Sequence, residues 1–358
     1  MTGRGPRLLR VYDHGLTADA ILASSKESWP PTSSRQWGDN RVSLTSILKG
    51  HPDIARRLAA LVKMSAIPAA ISEPPRAPPR TKNYPLVGTA FDYLLRFEIE
   101  RRCPDARTQP WVAEESIRML AQVADAARRA LKKRPKARIR AKVGEKVFDL
   151  DPRERVEIAE KARRTVKEAQ ASLAQYTESP RPTAKLVEEM AAHALRLASL
   201  DSVYRAGRVD IDLNEPDPED IRDLVAILGI APFDVLDPYF RTGPVLLNPT
   251  FGRYSRLVGG ADADIVAGGV LLDVKTTNYP EFGKDLAQIL GYAILADHHR
   301  LEEPSFPEVR EIGFYFSRHG TVEAIAYGPI RKHRDFRDAV DALFGVAREE
   351  YGEKVSDR

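Results

Sequence analysis

The sequence predicts an α/β fold in which a mixed sheet is flanked by helices and interrupted by a large helical insertion. Gly268-Gly269 separates two short apolar runs, which is typical of a β-hairpin with a two-residue turn. Apolar residues at three- and four-residue spacing then predict a helix over 282–297. The runs 311–316 and 322–327 read as strands on either side of a His-Gly turn, and they extend the sheet.

The N-terminal part of the chain is predicted to stand apart from the sheet. Residues 1–80 form an N-terminal segment, with a helix over 51–64. The proline density of 71–79 is typical of an extended linker.

The sheet domain is predicted to consist of two separate stretches of chain, 81–102 and 246–358. It begins with a long helix over 86–101 and closes with a helix over 335–350. Residues 103–245 between the two stretches form the helical insertion. The elements predicted between the first long helix and the hairpin are helices over 111–133, 152–174, 185–205 and 217–228 and a short strand over 245–247.

The predicted hairpin gathers acids and a lysine on one face. Continuing the register from the turn sets Asp264 opposite Asp273 and Asp262 opposite Lys275. Directly opposed residues share a face, and like charges placed opposite each other are destabilising. The Asp264–Asp273 pair therefore indicates a position where a cation normally lies. The alternative is a half-exposed hairpin whose acids and lysine are simply solvated.

Paired carboxylates near apolar cover suit a hard cation such as Mg²⁺ or Mn²⁺. Lys275 shares their face and could orient an attacking water or stabilise developing negative charge. On the following helix, Gln288 and Tyr292 lie four residues apart and therefore on one edge. Taken alone, that pair is more typical of the polar margin of an amphipathic helix.

Together these residues resemble the RecB-like branch of the PD-(D/E)XK nuclease superfamily. That branch carries an Asp on one strand, Asp-x-Lys on the next and Gln-x-x-x-Tyr on the helix that follows. Here the motifs are Asp264, Asp273-x-Lys275 and Gln288-x-x-x-Tyr292, in the same order and at compact spacing. The combination is far more specific than any one of its parts.

The resemblance implies a restriction-endonuclease-like core and a Mg²⁺- or Mn²⁺-dependent deoxyribonuclease. It implies that Asp264, Asp273 and the backbone carbonyl of Val274 bind the metal. It also implies that Lys275 positions the attacking water or helps to deprotonate it. The glutamine and the tyrosine of the helix would buttress the site or contact the phosphate strand.

The first helix departs from the family pattern. In this branch it begins with Gly-Thr and carries a His four residues after the glycine, whereas this chain has Gly88 followed by Asp92. Asp92 can still supply an oxygen ligand to the metal. Glu98 and Glu100 on the same helix are alternatives, and a helix-cap or surface acid is the other interpretation of Asp92.

Composition limits the cofactors and the compartment. Several members of the branch hold an iron–sulfur cluster, and such a cluster needs four thiolates. The 358-residue chain has one cysteine, Cys103, so neither that cluster nor an intramolecular disulfide framework is expected. No apolar run reaches the length of a membrane span and no secretory leader is evident, which favours a cytoplasmic protein without a membrane partner.

The charge distribution favours DNA as a partner. The formal net charge of +4 is mild, but a dense cationic run over 128–142 could neutralise several phosphates. The candidate nucleic-acid-binding residues of this run are Lys132, Lys133, Arg134, Lys136, Arg138 and Arg140. A solvated helix end and loop is the alternative for the run.

Three functions follow as hypotheses from the sequence. The first is a metal-dependent deoxyribonuclease that acts in a repair, mobile-element or antiphage-defence assembly. The second is a catalytically inactive nucleic-acid-binding or scaffolding protein of the same fold, motivated by the missing histidine. The third is an RNA-directed nuclease, because a fold does not fix its substrate.

Overall fold

The chain divides into two compact units. The computed structural model describes residues 43–133, 139–143, 146–206, 211–283 and 285–351. What is called the sheet unit below comprises Arg41–Gln109, Leu173–Ala191 and Asp217–Arg358. The insertion unit includes Pro110–Ser172 and Ala192–Pro216.

A mixed sheet is the centre of the sheet unit. The strands of the described residues are β1 (Arg107–Thr108), β2 (Ile139–Val143), β3 (Lys146–Leu150), β4 (Leu246–Leu247), β5 (Ile265–Ala267), β6 (Val270–Lys275), β7 (Glu311–Phe316) and β8 (Thr321–Ala326). Six of them form one sheet in the order β1-β4-β5-β6-β7-β8. The pairs β1–β4 and β6–β7 are parallel and the other neighbours are antiparallel. The predicted mixed sheet is confirmed.

Helices account for most of the remaining described chain. They are α1 (Leu44–Gly50), α2 (Pro52–Ala59), α3 (Tyr84–Arg102), α4 (Val112–Lys133), α5 (Pro152–Glu178), α6 (Ala184–Ala206), α7 (Pro218–Gly229), α8 (Phe233–Phe240), α9 (Arg253–Leu257), α10 (Leu286–Glu302), α11 (Gly328–Arg331) and α12 (Phe336–Tyr351). Among the helices in the described ranges, none combines the length and the apolar character needed to cross a membrane.

Both faces of the sheet are covered by helices. Side chains alternate between faces along a strand, and Phe314 and Phe316 of β7 join a hydrophobic core with α1, α2, α10 and α12. Tyr315 points to the other face, where its ring centroid lies 6.2 Å from that of Phe91 on α3. Strand β6, the neighbour of β7, therefore runs between α10 on one face and α3 on the other. This arrangement puts polar side chains from both helices within reach of the acidic strand end.

The proline-rich stretch at 71–79 packs onto the sheet unit. The Ala77 N–H donates to the carbonyl of Arg318, and the Arg318 guanidinium donates back to the carbonyl of Ala77, each at 3.0 Å. The same guanidinium forms a fully buried bidentate ion pair with Asp223 at 2.8 and 2.9 Å. Ala77 is itself buried. The chain between α2 and α3 is therefore held against the sheet unit at this point.

The insertion unit contains a short β-structure in addition to helices. Strands β2 and β3 pair antiparallel, with Ile139 opposite Leu150 and Val143 opposite Lys146. The sequence pattern did not predict this hairpin, because its first strand lies within the cationic run and lacks a clear apolar alternation. Helix α4 and much of α5 and α6 form the rest of the unit.

Candidate active site

The turn between β5 and β6 has the geometry that the glycine pair predicts. Gly268 and Gly269 adopt φ values of 58° and 86°, which only glycine enters readily. A side chain at Gly268 would also collide with the backbone of Tyr239, whose carbonyl oxygen would lie 2.7 Å from the added Cβ. The predicted register is confirmed for the pairs next to the turn, including Ile265 opposite Leu272.

The ladder between β5 and β6 ends at Ile265, and the acidic residues lie where the strands separate. The carbonyl of Asp264 accepts a hydrogen bond from the Asn248 N–H at 2.9 Å, and Asp262 pairs with Thr250. The expected pairing of Asp262 with Lys275 is therefore not formed, because the chain before Ile265 turns towards the 248–250 segment. Asp264 and Asp273 remain close to each other at the open end of the hairpin.

Where β5 and β6 separate, the Asp264 side chain accepts a hydrogen bond from the backbone of β6. Its Oδ2 accepts from the Val274 N–H at 2.6 Å, which fixes the side chain between the two strands. Burial, followed by the charges of Asp273 and Asp92, raises the pKa of Asp264 well above its ordinary value. Two carboxylates crowded in this way disfavour full ionisation, and a cation beside them would relieve the repulsion.

Asp273 is the more deeply buried of the two acids. Its residue is only 6% exposed, and its Oδ2 receives no hydrogen bond from the described residues. The ammonium of Lys275 lies 2.7 Å from that oxygen as an ion pair, outside hydrogen-bonding angles. Burial raises the pKa of Asp273, although Lys275 opposes the rise. The site thus contains a buried carboxylate oxygen whose close partner is the ammonium of Lys275.

Lys275 is held in its charged form by its surroundings. Burial alone would lower the pKa of Lys275, but the carboxylates of Asp273 and then Asp285 outweigh burial and raise it. Its Nζ lies 3.8 Å from Asp285 Oδ2 and donates to Gln288 Oε1 at 3.1 Å. The lysine therefore serves as a fixed positive charge beside the two acids.

Gln288 is fixed by three hydrogen bonds, which set the orientation of its amide. Its Nε2 donates to Thr45 Oγ1 at 3.1 Å and to Tyr292 OH at 2.9 Å, while its Oε1 accepts from Lys275. Tyr292 is buried, and burial together with the nearby carboxylates raises its pKa, so it stays a neutral phenol. The pair predicted on one edge of α10 therefore reaches the lysine through the amide of Gln288.

Helix α1 reaches this site because α10 has a glycine where the two helices cross. A Cβ at Gly291 would lie 2.7 Å from Leu44 Cδ2, so a larger residue would force the Leu44 side chain to shift. Next to Leu44, Thr45 contacts Gln288. Sequence reasoning missed Thr45 and Asp285 as neighbours of the lysine. Thr45 lies 243 residues from Gln288 along the chain, and no local pattern signals such a contact.

Asp92 approaches the site from the other face of the sheet. It lines a cavity of about 10 Å³ together with Asp264, Val274 and Asn248, and Leu95, Arg96 and Ile265 complete the lining. That volume is about the size of one water molecule. The proximity of Asp92 to Asp264 is also the reason its charge contributes to the raised pKa of Asp264. The structure thus brings Asp92 close to Asp264.

The alternative acids on α3 are engaged elsewhere. Glu98 accepts hydrogen bonds from Arg101, Arg102 and Tyr176 at 2.7–2.8 Å. Glu100 accepts a hydrogen bond from Thr108 at 2.6 Å. Because Glu98 already has an ion-paired partner at each oxygen, its role is to hold α3 in place and not to bind a metal.

The donor set suits a hard cation that keeps part of its hydration shell. Among the described residues, no group of three or more His, Cys, Asp or Glu side chains is arranged to hold a metal ion. Mg²⁺ commonly uses one or two carboxylates and retains water or substrate oxygens as its other ligands. Two adjacent carboxylates, both removed from bulk water, match that requirement. The residues present therefore fit Mg²⁺ or Mn²⁺.

The cationic run is only partly described. Lys132 and Lys133 form the last turn of α4 in the insertion unit, and both are exposed. Arg134, Lys136 and Arg138 lie outside the described residues. Arg140 lies in β2, and its side chain is likewise outside the description.

Comparison with known proteins identifies no relative of the chain. No family model matches it, and no curated protein and no solved structure matches it significantly. The function has to be inferred from the geometry of the site itself.

Proposed function

We propose that the sheet unit is a metal-dependent nuclease core of the PD-(D/E)XK type, RecB-like branch, which hydrolyses phosphodiester bonds of DNA. One observation carries the proposal: Asp264 and Asp273 meet, buried and mutually repelling, at the open end of a hairpin with Lys275 beside them. Strongly perturbed carboxylates grouped in this way are typical of functional sites.

The acids supply the ligands for a divalent cation. Asp264 and Asp273 would bind Mg²⁺ or Mn²⁺, with the carbonyl of Val274 and the carboxylate of Asp92 as further donors. When bound, such an ion polarises a phosphoryl oxygen and acidifies water. The carboxylates also keep the cation at the strand end, where the small cavity shared by Asp92 and Asp264 lies.

Lys275 stabilises and orients in the proposed reaction. Burial lowers its pKa, but Asp273 and Asp285 outweigh burial and raise it, so the lysine carries a positive charge at neutral pH when no metal is bound. Its ammonium can hold the attacking water by donating to it, and it can stabilise negative charge that develops on the phosphate. Gln288 and Tyr292 keep the ammonium in place from α10.

The decisive experiment is a cleavage assay with Mn²⁺ on linear and circular DNA, single- and double-stranded, with an RNA strand in parallel. Asp273→Asn preserves volume but removes the charge, and we expect cleavage to fall by a factor on the order of 10²–10³. Asp341→Asn is the matched control, because that acid is 70% exposed on α12 and should leave the rate unchanged. Equal activity in wild type and Asp273→Asn would reject the proposal.

A non-enzymatic nucleic-acid-binding protein is the second candidate. It is favoured by the ion pair of Lys275 with Asp273, which already neutralises one acid without a metal. Calorimetric titration with Mn²⁺ separates the candidates without relying on turnover. Binding that disappears in Asp264→Asn supports the nuclease, whereas DNA binding without any Mn²⁺ binding supports the second candidate.

A further inference from the structure

Asn248, which directly follows β4, has a backbone conformation that its place in the chain does not favour. Its φ is 51°, and every other described residue with a φ in the left-handed region is a glycine. Pro249 follows, and a proline favours an extended conformation in the residue before it. Glycine would adopt this φ without a steric cost. Because strained conformations of this kind are concentrated at functional sites, the side chain of Asn248 needs an explanation.

Strand pairing brings Asn248 to the acidic site. The ladder of β4 and β5 and the bridge between Thr250 and Asp262 have one common register. In that register Asn248 lies directly opposite Asp264, and its N–H donates to the Asp264 carbonyl at 2.9 Å. Directly opposed residues of antiparallel strands share a face. Asn248 also lines the cavity of about 10 Å³ that Asp264 and Asp92 line.

The amide of Asn248 contacts one acid and has further hydrogen-bonding capacity. Its Nδ2 donates to Asp262 Oδ2 at 3.5 Å, and among the described residues this is the one hydrogen bond of the side chain. A carboxamide has two N–H protons and a carbonyl oxygen that accepts, so the protein uses only part of this capacity. A cavity of the observed size holds one water molecule when polar groups surround it.

We propose that Asn248 is a positioning residue of the metal site, whose amide holds Asp262 and a water ligand of the cation bound by Asp264. The inference rests on the proposed metal-dependent function and adds a residue to it. A hard cation bound by one or two carboxylates keeps several water ligands, and outer partners that fix the ligands tune its affinity. Glycine in this position would supply the same backbone without the amide, and the amide therefore explains why an asparagine occupies it.

The test uses two substitutions that separate the amide from the backbone. Asn248→Gly removes the amide and keeps the positive φ, whereas Asn248→Ala removes the amide and also strains the backbone. Calorimetric titration of the full-length protein with Mn²⁺ should show that Asn248→Gly raises the dissociation constant by about 10- to 100-fold, as for other outer partners of metal ligands. The melting temperature of the metal-free glycine variant should stay close to that of wild type, whereas the alanine variant should melt lower.

A spectroscopic measurement distinguishes positioning from a merely structural role. The line shape in electron paramagnetic resonance reports the symmetry of the ligands around Mn²⁺, and Asn248→Gly at saturating Mn²⁺ should change it. Asn83→Gly is the matched control, because Asn83 Nδ2 also donates to a buried acid, Asp220, at 2.8 Å and does not line the cavity. This control should leave both the Mn²⁺ affinity and the line shape unchanged.

Each contrary outcome has a distinct meaning. Binding of Mn²⁺ by Asn248→Gly as tight as by wild type would overturn the role of Asn248 and leave the proposed nuclease standing. An equal loss of affinity in Asn83→Gly would also overturn it, as would a fall in melting temperature for Asn248→Gly as large as for Asn248→Ala. A wild-type protein that binds no Mn²⁺ would overturn this inference together with the proposed metal-dependent function.

Discussion

Two groups of buried acids in the sheet unit differ in how their charges are satisfied. Glu98 on α3 is surrounded by donors, with Arg101, Arg102 and Tyr176 all within hydrogen-bonding distance. The Asp264–Asp273 pair has fewer partners, and Asp273 retains a buried oxygen without a hydrogen bond. The first group has arginine partners at both carboxylate oxygens, whereas in the second Lys275 forms an ion pair with Asp273.

The pKa values of Glu98 and Asp264 move in opposite directions because the partners around the two acids differ. Burial tends to raise the pKa of Glu98, but its arginine and tyrosine hydrogen bonds outweigh burial and lower it. At Asp264, burial acts together with the charges of two other acids, and the pKa rises well above its ordinary value. Burial alone therefore does not distinguish a structural acid from a functional one. The set of partners around the acid does.

The largest effect on stability is expected at Glu98. Glu98→Gln leaves Arg101 and Arg102 beside an uncharged side chain, and breaking a buried ion pair in this way costs about 3 kcal/mol of unfolding free energy. For a chain of 358 residues the melting temperature should fall by roughly 4 °C. Differential scanning calorimetry at pH 7 measures the shift.

Glu219→Gln is the control for that prediction. Glu219 also pairs with two arginines, Arg80 and Arg222, but its side chain is 44% exposed, and exposed pairs contribute little. A loss at Glu219 as large as the loss at Glu98 would contradict the view that burial and saturation make Glu98 a structural acid.

At Asp264 we expect a substitution that increases the unfolding free energy instead of lowering it. Its pKa is raised in the folded state, so the wild type loses stability as pH rises from the ordinary aspartate pKa of 3.8 through that raised pKa. Asp264→Asn removes this penalty and should stabilise the metal-free protein at pH 8 by about 1–2 kcal/mol, with little change near pH 4. Glu98 has the reverse pH dependence. Its pKa is lowered in the folded state, so the stability that its charged form contributes is lost as pH falls through that lowered pKa.

Added Mn²⁺ sharpens the same comparison. A cation that binds the folded acids raises the melting temperature of the wild type, because binding to the native state shifts the unfolding equilibrium. The Asp264→Asn variant should show no such rise although it starts from a higher melting temperature. Equal Mn²⁺ stabilisation of both proteins would place the cation elsewhere.

The smallest effect is expected at Thr45. Thr45→Val keeps the shape of the side chain but removes the acceptor for Gln288 Nε2. With one neutral hydrogen bond lost, the turnover number should fall about 5-fold while KM changes less than twofold. Thr45→Ser restores the hydroxyl and should restore turnover. A rise in KM at constant turnover would instead place Thr45 in substrate binding.

Local chemistry explains which parts of the fold were predictable. Two consecutive glycines, which readily adopt positive φ, predict the turn at Gly268-Gly269 and the residue pairs next to it. The structure confirms both. Long helices such as α4 and α12 repeat their apolar spacing often enough to be recognised, and both begin within one residue of prediction. Of the short helices, α2 lies within the predicted helix over 51–64, whereas α1, α8, α9 and α11 escaped prediction. Helix α9 has five residues, and Pro238 lies inside α8.

The site was predictable only as far as its members are close in sequence. Asp264, Asp273 and Lys275 could be grouped because one hairpin carries them all. Thr45 could not, since its role depends on α1 packing against Gly291. The failed pairing of Asp262 with Lys275 has a similar cause, because the competing partner Thr250 lies outside the hairpin. The nuclease assignment itself stays a prediction.

The crossing of α1 over α10 also has a consequence for biosynthesis. Thr45 and Gln288 are 243 residues apart. His51, which directly follows α1, contacts Glu350, which is 299 residues away. Contacts of such long sequence separation form only after the intervening chain exists. During translation, the contact between Thr45 and Gln288 therefore cannot form before α10 has emerged from the ribosome. A partly synthesised chain would carry the acids of the hairpin without the helix contacts that orient the lysine.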